Sequence, residues 1–439
     1  MTDHRPRSGN ESVETDWLGA LPFTWKRAPL RHVARIVNGG TPSPDPLNWD
    51  GPIAWATPVD LGSVNGGFLG KTGRTLTVKG LLGGSAAVGP GSVLVSTRAP
   101  IGYVALSTEL TAFNQGCKAL IPNRSLIPGF LLYILQAAKS EMMRRGQGTT
   151  FLEIASGALG SMHAPVPTEE DQKRLVSFLD RETAEIDAFI ADQEELIALL
   201  AERRAATISR IVSKGLDPTS KTRESGVRWL GDVPVHWQAG NIRRFATMKT
   251  GHTPSRSKGE YWLNCSIPWF TLADVWQLRR GQTYLGKTST EISLLGLQNS
   301  AAELLPAGTV VLSRTASVGF SGIMPQPMAT SQDYWNWICK PSLLPKYLWY
   351  QFLAMRPFFG SLVHGSTHKT IYQADAAALG IAAPPVDEQE LIIGYLDRET
   401  AELDAAIADA REAIALSKER RAALISAAVT GKINVRGVA

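Results

Sequence analysis

Apolar residues follow a regular spacing along two stretches of the chain, and polar residues fill most of the positions between them. The apolar positions lie four, seven and three residues apart, which is the narrow stripe of a coiled-coil seam. Neither stretch contains Pro or Gly in its central part, 175–214 or 395–430, and good helix formers dominate both. We therefore predict two long helices, at 168–215 and 386–433. The predicted interface positions are Ile186, Ile190, Ile197 and Leu200 in the first helix and Leu403, Ile407, Ile414 and Ile425 in the second.

The two stretches also repeat each other in sequence. The segment LDRETAE occurs at Leu179–Glu185 and again at Leu396–Glu402, and ERRAA occurs at Glu202–Ala206 and at Glu419–Ala423, both with an offset of 217 residues. A helix this long and this polar is not stable alone, so each copy is the obvious partner of the other. If the segment between them begins and ends at nearby points, the second helix starts where the first stops. We therefore expect an antiparallel pair with a pseudo-two-fold axis.

The segments outside the helices carry short β-rich runs between Gly and Pro turns, such as Ser92–Ser96 and Thr309–Ser313. A helix is predicted at Pro128–Met143 and another at Pro345–Met355, because Pro is favoured in the first turn. We predict the fold class α+β, with a mostly antiparallel, irregular sheet in each of two globular domains.

The globular segments repeat each other too, although more loosely than the helices. Matching motifs are Trp-Leu-Gly at 17–19 and 229–231, Thr-Pro-Ser at 41–43 and 253–255, Ile53-Ala-Trp55 and Ile267-Pro-Trp269, and Gln115 and Gln332. The chain is therefore predicted to be a duplication that was formed from a globular domain and a helix. The predicted boundaries are 1–167 for the first globular domain, 168–215 for the first helix, 216–385 for the second globular domain, 386–433 for the second helix and 434–439 for a tail.

Charge is divided unevenly along the 439 residues. The stretches 168–214 and 386–433 each have a net charge of −4, so that, with +5 for the whole chain, the remaining 344 residues carry +13. One acidic helix would be explained by solvation alone. Basic globular domains joined by acidic helices instead indicate that a polyanion binds to the globular domains.

Composition narrows the class of protein. The apolar fraction of 44% is enough for real cores, and no apolar run approaches membrane-spanning length. The polar, charged residues 1–16 do not resemble a secretory signal. The three cysteines, which are odd in number and far apart, favour a reducing cytoplasm and no metal cluster.

With these features together, the chain resembles the specificity subunit of a type I restriction–modification system. The resemblance rests on the LDRETAE and ERRAA repeats, the ending Val429-Thr-Gly-Lys432 and the paired globular motifs. The lead-ins Pro165–Gln172 and Pro384–Gln389 fit as well, and only Val212-Ser-Lys-Gly215 departs slightly from the repeated ending. The resemblance covers nearly the whole chain.

The resemblance implies a division of labour. Each globular domain would be a target-recognition domain that reads one half of a split, asymmetric target in double-stranded DNA. The helices would set the unread gap and dock two modification subunits, which bind S-adenosylmethionine and methylate adenine. Restriction subunits, with ATP and Mg²⁺, would add to that core. The chain itself would bind no cofactor and catalyse nothing.

Two segments look like parts of an enzyme and are interpreted otherwise. Ala383-Pro-Pro-Val386 lacks both the polar first residue and the aromatic last residue of an amino-methyltransferase loop, so we interpret it as a stiff entry to the second helix. Gly281–Thr288 satisfies the P-loop pattern, but no buried strand precedes it. The first globular domain has Gly70-Lys-Thr72 at the matching place, which favours a turn with a phosphate-facing lysine.

Basic and amide side chains outside the predicted helices are the candidates for DNA contact, because phosphate and base recognition favour them. The loops Arg144–Thr150 and His364–Thr370 are the strongest candidates, since flexible polar loops suit groove insertion. Gln115 and Gln332 align, so a structural role is equally open for them. The full set is Lys71, Arg74, Arg98, Gln115, Lys118, Arg144, Arg145 and Gln147 in the first globular domain and Arg256, Lys258, Lys287, Arg314, Gln332, His368 and Lys369 in the second.

Paired arginines occur on both acidic helices, at Arg203-Arg204 and Arg420-Arg421. One interpretation is pairing with Glu202 or Glu419 in the same helix, and the other is contact with partner subunits. Two rival functions also stay open: a self-contained methyltransferase or nuclease with recognition domains, and a coiled-coil scaffold without a DNA role. No catalytic motif supports the first, and the charge of +13 opposes the second.

Overall fold

The two long helices are the largest elements of the computed structural model, which describes residues 17–148, 152–362 and 370–433. They run without a break over Glu169–Lys214 and Val386–Val429. Thr168 Oγ1 accepts a hydrogen bond from the backbone N–H of Asp171 at 3.2 Å, which caps the first helix. Gly215 follows that helix with a φ of +74°, the left-handed conformation that commonly ends a helix.

The chain forms two compact units, and each unit takes residues from both long helices. The first unit comprises Met1–Gln193 together with Glu412–Ala439, and the second comprises Glu194–Arg411. Each unit therefore holds one globular segment, the start of one long helix and the end of the other. The predicted domain boundaries assign each helix to a domain of its own, and they stay a prediction from the sequence.

The first unit contains two mixed sheets and a pair of flanking strands. The neighbouring strands of the larger sheet are Ala34–Asn38, Cys117–Pro122, Val93–Ser96, Val104–Ser107 and Phe68–Leu69, and those of the smaller sheet are Arg74–Leu76, Trp49–Ala56, Thr111–Phe113 and Ala86–Val88. Lys26–Pro29 pairs with His163–Val166. The short helices are Leu30–Val33, Pro46–Asn48, Pro58–Ser63, Val78–Leu82, Pro128–Ala137, Lys139–Arg144 and Ser156–Ser161.

The second unit repeats this plan with smaller sheets. Its four-stranded sheet has the order Ala246–Thr250, Tyr334–Cys339, Val310–Ser313 and Ser321–Ile323, and its three-stranded sheet has Glu291–Ile292, Ile267–Phe270 and Ala329–Thr330. Two-stranded pairs join Thr222–Glu224 to Asp232–Pro234 and Gln238–Asn241 to Gly380–Ala383. The short helices are Ile242–Arg244, Gly259–Trp262, Leu272–Asp274, Trp276–Arg279, Leu294–Gln298, Pro345–Ala354, Arg356–Phe359, Gly360–Leu362 and Gln373–Ala377.

These elements confirm the α+β class and the internal duplication. Most strand pairs are antiparallel, although Trp49–Ala56 pairs in parallel with Thr111–Phe113. The predicted helices begin at Pro128 and Pro345 as expected, with Pro in the first turn. The first ends at Ala137, and the short helix Lys139–Arg144 covers the rest of the predicted range. The second ends at Ala354, one residue before its predicted end, and the short helix Arg356–Phe359 follows.

A main core lies where a globular helix packs between a sheet and the long helices. In the first unit, Phe130 and Leu131 are buried in one cluster with Leu179 of the first long helix and Ile425 and Val429 of the second. The second unit has the same arrangement, with Tyr347 and Leu348 clustered with Ile208, Val212 and Leu396. Burial of a side chain of this size stabilises a fold by about 1.5–3 kcal/mol, so both helix ends are firmly attached to the globular part.

A buried glutamine attaches the start of each long helix to its globular segment. Gln172 Oε1 accepts from the backbone N–H of Ile127 at 2.9 Å, and its Nε2 donates to the carbonyls of Ser125 and Pro167. Gln389 makes the same three bonds with the backbone of Leu344, Ser342 and Pro384. These side chains satisfy backbone groups at the loop before each globular helix, which explains why a polar residue is buried there.

Tyrosines from the globular helices bond to the long helices about two turns further on. Tyr133 donates to Asp180 at 2.7 Å, and Tyr350 donates to Asp397 at 2.6 Å. Burial, together with the neighbouring carboxylate, raises the pKa of both phenols, so they stay protonated as donors. Asp180 and Asp397 belong to the repeated LDRETAE segments, which gives that repetition a structural reason.

The long helices run antiparallel within the second unit. Arg204 Nε lies 2.9 Å from Asp404 Oδ1, while the residue just beyond the first helix, Gly215, lies against Glu388 at the start of the second. In the first unit Arg421 pairs with Asp187 at 2.8 Å. Pairing within the same helix was therefore the wrong interpretation for Arg204 and Arg421, because their acidic partners lie on the other long helix, whereas contact with partner subunits stays a prediction. Arg203 and Arg420 are exposed.

The predicted seam is buried to different degrees along its length. Ile186, Ile190, Leu403, Ile407 and Ile425 are at least nine-tenths buried, whereas Ile197, Leu200 and Ile414 are half-buried. The apolar stripe is therefore buried up to the middle of each helix, at Ile190 and Ile407, and is partly open just beyond it, at Ile197, Leu200 and Ile414. Their assignment as subunit or coiled-coil interface residues stays a prediction.

Candidate nucleic-acid interface

A tight hairpin turn and a glutamine-bearing turn lie side by side in each unit. In the first unit the backbone N–H of Thr97 donates to the carbonyl of Gly116 at 2.8 Å, next to Gln115. In the second unit the N–H of Arg314 donates to the carbonyl of Asp333 at 3.0 Å, next to Gln332. Arg98 and Arg314 thus lie beside the two aligned glutamines.

The loop after each globular helix returns to the same hairpin turn. Glu153 pairs with Arg98 through the backbone, and Arg98 Nε lies 2.8 Å from Glu153 Oε2. Gln147 and Glu153 exchange backbone hydrogen bonds of 2.9 Å, which brings the loop of Gln147 next to Arg98. In the second unit Thr370 pairs with Thr315. His368 and Lys369 lie outside the described residues, as do 149–151.

The Thr-Pro-Ser motif lies on the other side of the glutamine turn. Thr41 Oγ1 donates to Gln115 Oε1, and Thr253 Oγ1 donates to Gln332 Oε1 at 2.6 Å. Both glutamines are exposed, so the bond orients an amide whose N–H groups remain able to donate. The shared contact explains the alignment of the glutamines, while their predicted role in DNA contact stays a prediction.

Two tryptophans hold the backbone at the Thr-Pro-Ser motif through hydrogen bonds from their indole N–H groups. Trp49 and Trp55 Nε1 donate to the carbonyls of Ser43 and Gly40 at 3.0 and 3.2 Å. Their rings meet edge to face, with centroids 4.9 Å apart. Trp262 and Trp269 repeat this arrangement, donating to Ser255 and His252 at 3.1 and 3.2 Å with centroids 5.5 Å apart. We call each pair the tryptophan platform of its unit.

An arginine lies on each platform. Arg74 Cζ is 3.4 Å from the centroid of the Trp49 ring, and Arg256 Cζ is 5.1 Å from that of Trp262. A guanidinium over an aromatic face is stabilised by a cation–π interaction. Both arginines are exposed, and each also lies 5.9 Å from the centroid of the second tryptophan of its platform.

These contacts join most of the predicted arginines and glutamines into one surface per unit, which we call the contact strip. Each strip runs from the tryptophan platform through the Thr-Pro-Ser motif and the glutamine turn to the hairpin turn. The strip members are Arg74, Thr41, Gln115, Arg98 and Gln147 in the first unit and Arg256, Thr253, Gln332, Arg314 and Thr370 in the second.

The two predicted turn lysines lie next to the platforms. Asp60 Oδ1 accepts from the N–H of Gly73 at 2.8 Å, and Asp274 Oδ1 accepts from the N–H of Ser289 at 2.7 Å. These bonds fix the turns that carry Lys71 and Lys287, which are both exposed. The Gly281–Thr288 segment follows a helix, Trp276–Arg279, and leads into a strand, Glu291–Ile292. A P-loop has the opposite order, so the turn interpretation agrees with the structure.

Other predicted residues are less available to a ligand. Arg144 and Arg145 both bond to Glu141, at 2.8 and 2.5 Å. Burial raises the pKa of Glu141, but the two arginine bonds outweigh it and hold that pKa below its ordinary value. Lys118 is buried, its Nζ donates to Asn38 at 3.1 Å, and burial lowers its pKa. Lys258 donates to the hydroxyl of Tyr261 at 3.3 Å.

Sequence reasoning missed several residues around the second strip. Arg279 Nε donates to Ser317 in the hairpin turn at 2.8 Å, and Arg280 lies 4.9 Å from the centroid of the exposed Trp276. In the sequence Trp276, Arg279 and Arg280 belong to the segment before Gly281–Thr288, which does not have the pattern of a buried strand. The signal that could have found them is the Trp with two arginines shortly after it. The tryptophan platforms were missed as well, although Trp55 and Trp269 align.

The strips can bind a polyanion but show no catalytic constellation. Among the described residues, no group of three or more His, Cys, Asp and Glu side chains could hold a metal ion. Within the same ranges no helix is long and apolar enough to cross a membrane. The chemistry present is that of arginine, lysine, amide and hydroxyl donors, which suits phosphates and base edges.

Comparison with known proteins identifies the globular segments. The family described as "Type I restriction modification DNA specificity domain" matches residues 22–197 and 234–411, one copy in each half of the chain. The chain belongs to this family. The resemblance found in the repeats is thereby confirmed, and both copies of the domain include the residues of a contact strip.

Curated relatives carry related names. The specificity subunit of the type I restriction enzyme MjaIX from Methanocaldococcus jannaschii is 31% identical over 173 residues, which is 38% of this chain and 40% of the relative. The EcoR124I/EcoR124II specificity subunit from Escherichia coli is 27% identical over 36% of this chain and 40% of its own length. The matches thus span about two fifths of these relatives. The putative MjaX specificity subunit of M. jannaschii is 20% identical over 97% of both chains.

Solved structures share the fold over most of the chain. One, from a study titled "Structural basis underlying complex assembly and conformational transition of the type I R-M system", has a TM-score of 0.74 at 17% identity and covers 94% of this chain and all of that chain. The HsdS subunit from Thermoanaerobacter tengcongensis has a TM-score of 0.51, also at 17% identity, over 94% of this chain and 98% of its own. At this identity the likeness establishes the fold.

Proposed function

We propose that this chain is the DNA-reading subunit of a type I restriction–modification complex. Each globular domain reads one half of a split, asymmetric target in double-stranded DNA, and the long helices set the gap between the halves. Two modification subunits dock on the helices and methylate adenine with S-adenosylmethionine. Restriction subunits, with ATP and Mg²⁺, add to this core. The chain itself binds no cofactor, catalyses no step and works in the cytoplasm.

The observation that carries the proposal is the contact strip built twice. Each strip places arginine and amide donors on a frame of tryptophans, a Thr-Pro-Ser motif and a hairpin turn. The frame residues and the glutamines are equivalent in the two units, whereas the arginines that the frame carries lie at different positions. Two readers of different half-sites need this combination, because base recognition depends on the donors and their placement.

Charge gives independent support. The surplus of +13 lies outside the two long-helix stretches, which are acidic. Lysine and arginine neutralise phosphates and thereby supply affinity that falls with added salt. Acidic helices between basic domains direct the duplex to the domains and leave the helices to bind protein partners.

The decisive experiment is methylation sequencing of host DNA with and without this gene. We expect a split motif with methyladenine in both halves in the presence of the gene, and loss of methylation in both halves upon its deletion. Loss in one half alone would contradict the proposal that both domains are readers.

A second experiment applies if the gene is not expressed in its host. The purified chain is mixed with modification subunits from the same host and with S-adenosylmethionine. We expect a stable complex that methylates the same split motif, whereas the chain alone neither binds S-adenosylmethionine nor cuts DNA. Methylation or cleavage by the chain alone would instead support a self-contained enzyme.

A further inference from the structure

Three of the six arginines predicted to contact DNA are already paired with acids in the chain. Arg98 is paired with Glu153, while Arg144 and Arg145 share Glu141. Arg314 is half-buried over Trp335, with its Cζ 4.5 Å from the ring centroid. Arg74 and Arg256 differ from all of these. They are exposed, and no acidic side chain among the described residues lies within ion-pair distance of either guanidinium.

The tryptophan platform gives each of these arginines a fixed orientation. Arg74 Cζ lies 3.4 Å from the centroid of Trp49 and 5.9 Å from that of Trp55, so one face of the guanidinium is covered by an indole. Stacking covers a face and leaves the edge N–H groups free to donate. The side chain is thus held in one conformation before any ligand arrives, which reduces the entropy lost on binding.

The second unit reaches a looser form of this arrangement by a different route. Arg74 lies in a strand, Arg74–Leu76, that pairs with the strand of Trp55. Arg256 lies in the loop directly after the Thr-Pro-Ser motif, and its Cζ is 5.1 and 5.9 Å from the centroids of Trp262 and Trp269. The two arginines are therefore not equivalent positions of the duplication, although the platforms beneath them are.

We infer that Arg74 and Arg256 are specificity-determining residues, each of which reads a guanine in the major groove of its own half-site. A planar guanidinium with two free edge donors matches O6 and N7 of guanine, and this bidentate pair is the commonest specific contact. The platform fixes the plane and the height of the donors, while the different origin of each arginine places the guanine differently in the two half-sites. The inference rests on the proposed function, because it assumes that each unit reads one half.

The test uses the full chain with its modification subunits and compares the methylated motifs that variants produce. Arg74→Ala should relax one half-site at a single G·C position, with about a ten- to hundred-fold loss of discrimination there, and leave the other half unchanged. Arg256→Ala should relax one position in the opposite half. Each variant therefore serves as the control for the other.

Two further variants separate base reading from other roles. Arg74→Lys keeps the charge but cannot make the bidentate, stacked contact, so it should relax the same position as Arg74→Ala. Arg124→Ala removes an exposed arginine at the other end of the Cys117–Pro122 strand, about 20 Å from the strip, and should leave the motif unchanged. Unfolding midpoints of all variants should stay close to wild type, since the substituted side chains are exposed and loss of a cation–π contact at such a site costs only about 0.5–1 kcal/mol.

Several outcomes would overturn the inference. If Arg74→Ala weakened binding uniformly across sequences and lowered the salt dependence by about one phosphate, the arginine would contact the backbone. A wild-type split motif that both alanine variants left unchanged would also refute it, while the proposed function would still hold. Absence of any split motif in wild type would refute the proposed function instead.

Discussion

Asp187 on the first long helix accepts two hydrogen bonds from Arg421 on the second, at 2.8 and 3.1 Å. The pair Arg204 and Asp404 forms the equivalent contact in the second unit, at 2.9 Å. Each partner is displaced by 217 residues from its counterpart, which is the offset of the sequence repeats. The two ion pairs therefore mark the same register between antiparallel helices in each unit.

Charge reversal tests this register. Arg421→Asp places a second carboxylate beside Asp187 and also removes the bond from Arg421 to Gln136, so the unfolding free energy of the first unit should fall by about 1–2 kcal/mol. The double variant with Asp187→Arg should recover most of that loss. Arg420→Asp, at an exposed neighbouring position, is the control and should change little. The measurement is urea unfolding, and a double variant no more stable than the single one would contradict the register.

A close backbone approach makes two glycines necessary for the contact strips. A Cβ on Gly39 would lie 2.0 Å from the carbonyl oxygen of Asn114, and a Cβ on Gly251 would lie 2.2 Å from that of Ser331. Gly39→Ala should therefore push the Thr-Pro-Ser motif away from the glutamine turn, lower stability by about 1–3 kcal/mol and impair reading of one half-site only.

Two other glycines provide matched controls for this prediction. A Cβ on Gly89 in the first unit or on Gly259 in the second meets no atom within 4 Å. Gly89→Ala and Gly259→Ala should leave both stability and the methylated motif close to wild type. Binding to duplexes with changes in either half-site separates the effects, and equal loss for both halves in Gly39→Ala would show a global defect.

Alkaline pH should destabilise the first unit through Cys117. Burial, with a smaller effect of Asp60, raises the pKa of this thiol to about 12 from an ordinary value near 9. Because the folded pKa is the higher one, the stability that this thiol contributes is fully present below about pH 9 and is lost as the pH rises towards 12. Between pH 8 and pH 10.5 the loss is about 2 kcal/mol.

A variant at the same position isolates this effect from other alkaline titrations. Cys117→Val fills a similar buried volume in the strand and cannot ionise. Its urea midpoint should be close to that of wild type at pH 7 and should fall less between pH 8 and pH 10.5. Parallel decline of the two proteins across this range would exclude Cys117 as the cause.

The long helices should determine the gap between the half-sites. Insertion of three heptads after Gln193 and of three more after Arg411 keeps both ion pairs in register and lengthens each helix by roughly 32 Å. This length is close to the roughly 34 Å of one DNA turn, so the preferred gap should grow by about 9–10 base pairs with unchanged half-sites. Binding of duplexes that differ only in gap length provides the measurement.

The matching control places the insertion in the first helix alone. This change breaks the common register of Asp187–Arg421 and Arg204–Asp404, so no gap length should restore wild-type binding. A doubly inserted chain that kept the original gap would show that the helices do not determine the spacing. Altered half-sites would contradict the assignment of reading to the globular domains.

The sequence predicted the long helices and their partnership because both depend on local pattern and repetition. The stripe of Ile186, Ile190, Leu403 and Ile407 is buried as its spacing requires. The ion-pair partners of Arg204 and Arg421 could not be predicted, since an acidic residue in the same helix is always nearer in the sequence. Only the three-dimensional register shows that Asp404 and Asp187 are the partners.

The contact strips were predictable residue by residue but not as surfaces. Arg98, Gln115 and Gln147 were identified by type, yet their assembly depends on contacts between distant segments, such as Thr97 with Gly116 and Gln147 with Glu153. The tryptophan platforms depend on indole bonds to the carbonyls of Ser43 and Gly40, which leave no trace in hydrophobic spacing. Periodicity identifies elements, whereas these surfaces are formed by turns and loops.

The segments that make up each compact unit determine the order in which the units can fold during translation. The second unit is continuous, Glu194–Arg411, and every residue of it has been translated before the last part of the chain is made. The first unit needs Glu412–Val429, whose Ile425 and Val429 complete the cluster that contains Leu179. The first globular segment is therefore translated before the second unit but completes its core after it. Elongation proceeds at about 5–20 residues per second, and the apolar surface of this segment stays exposed until the second long helix has been made.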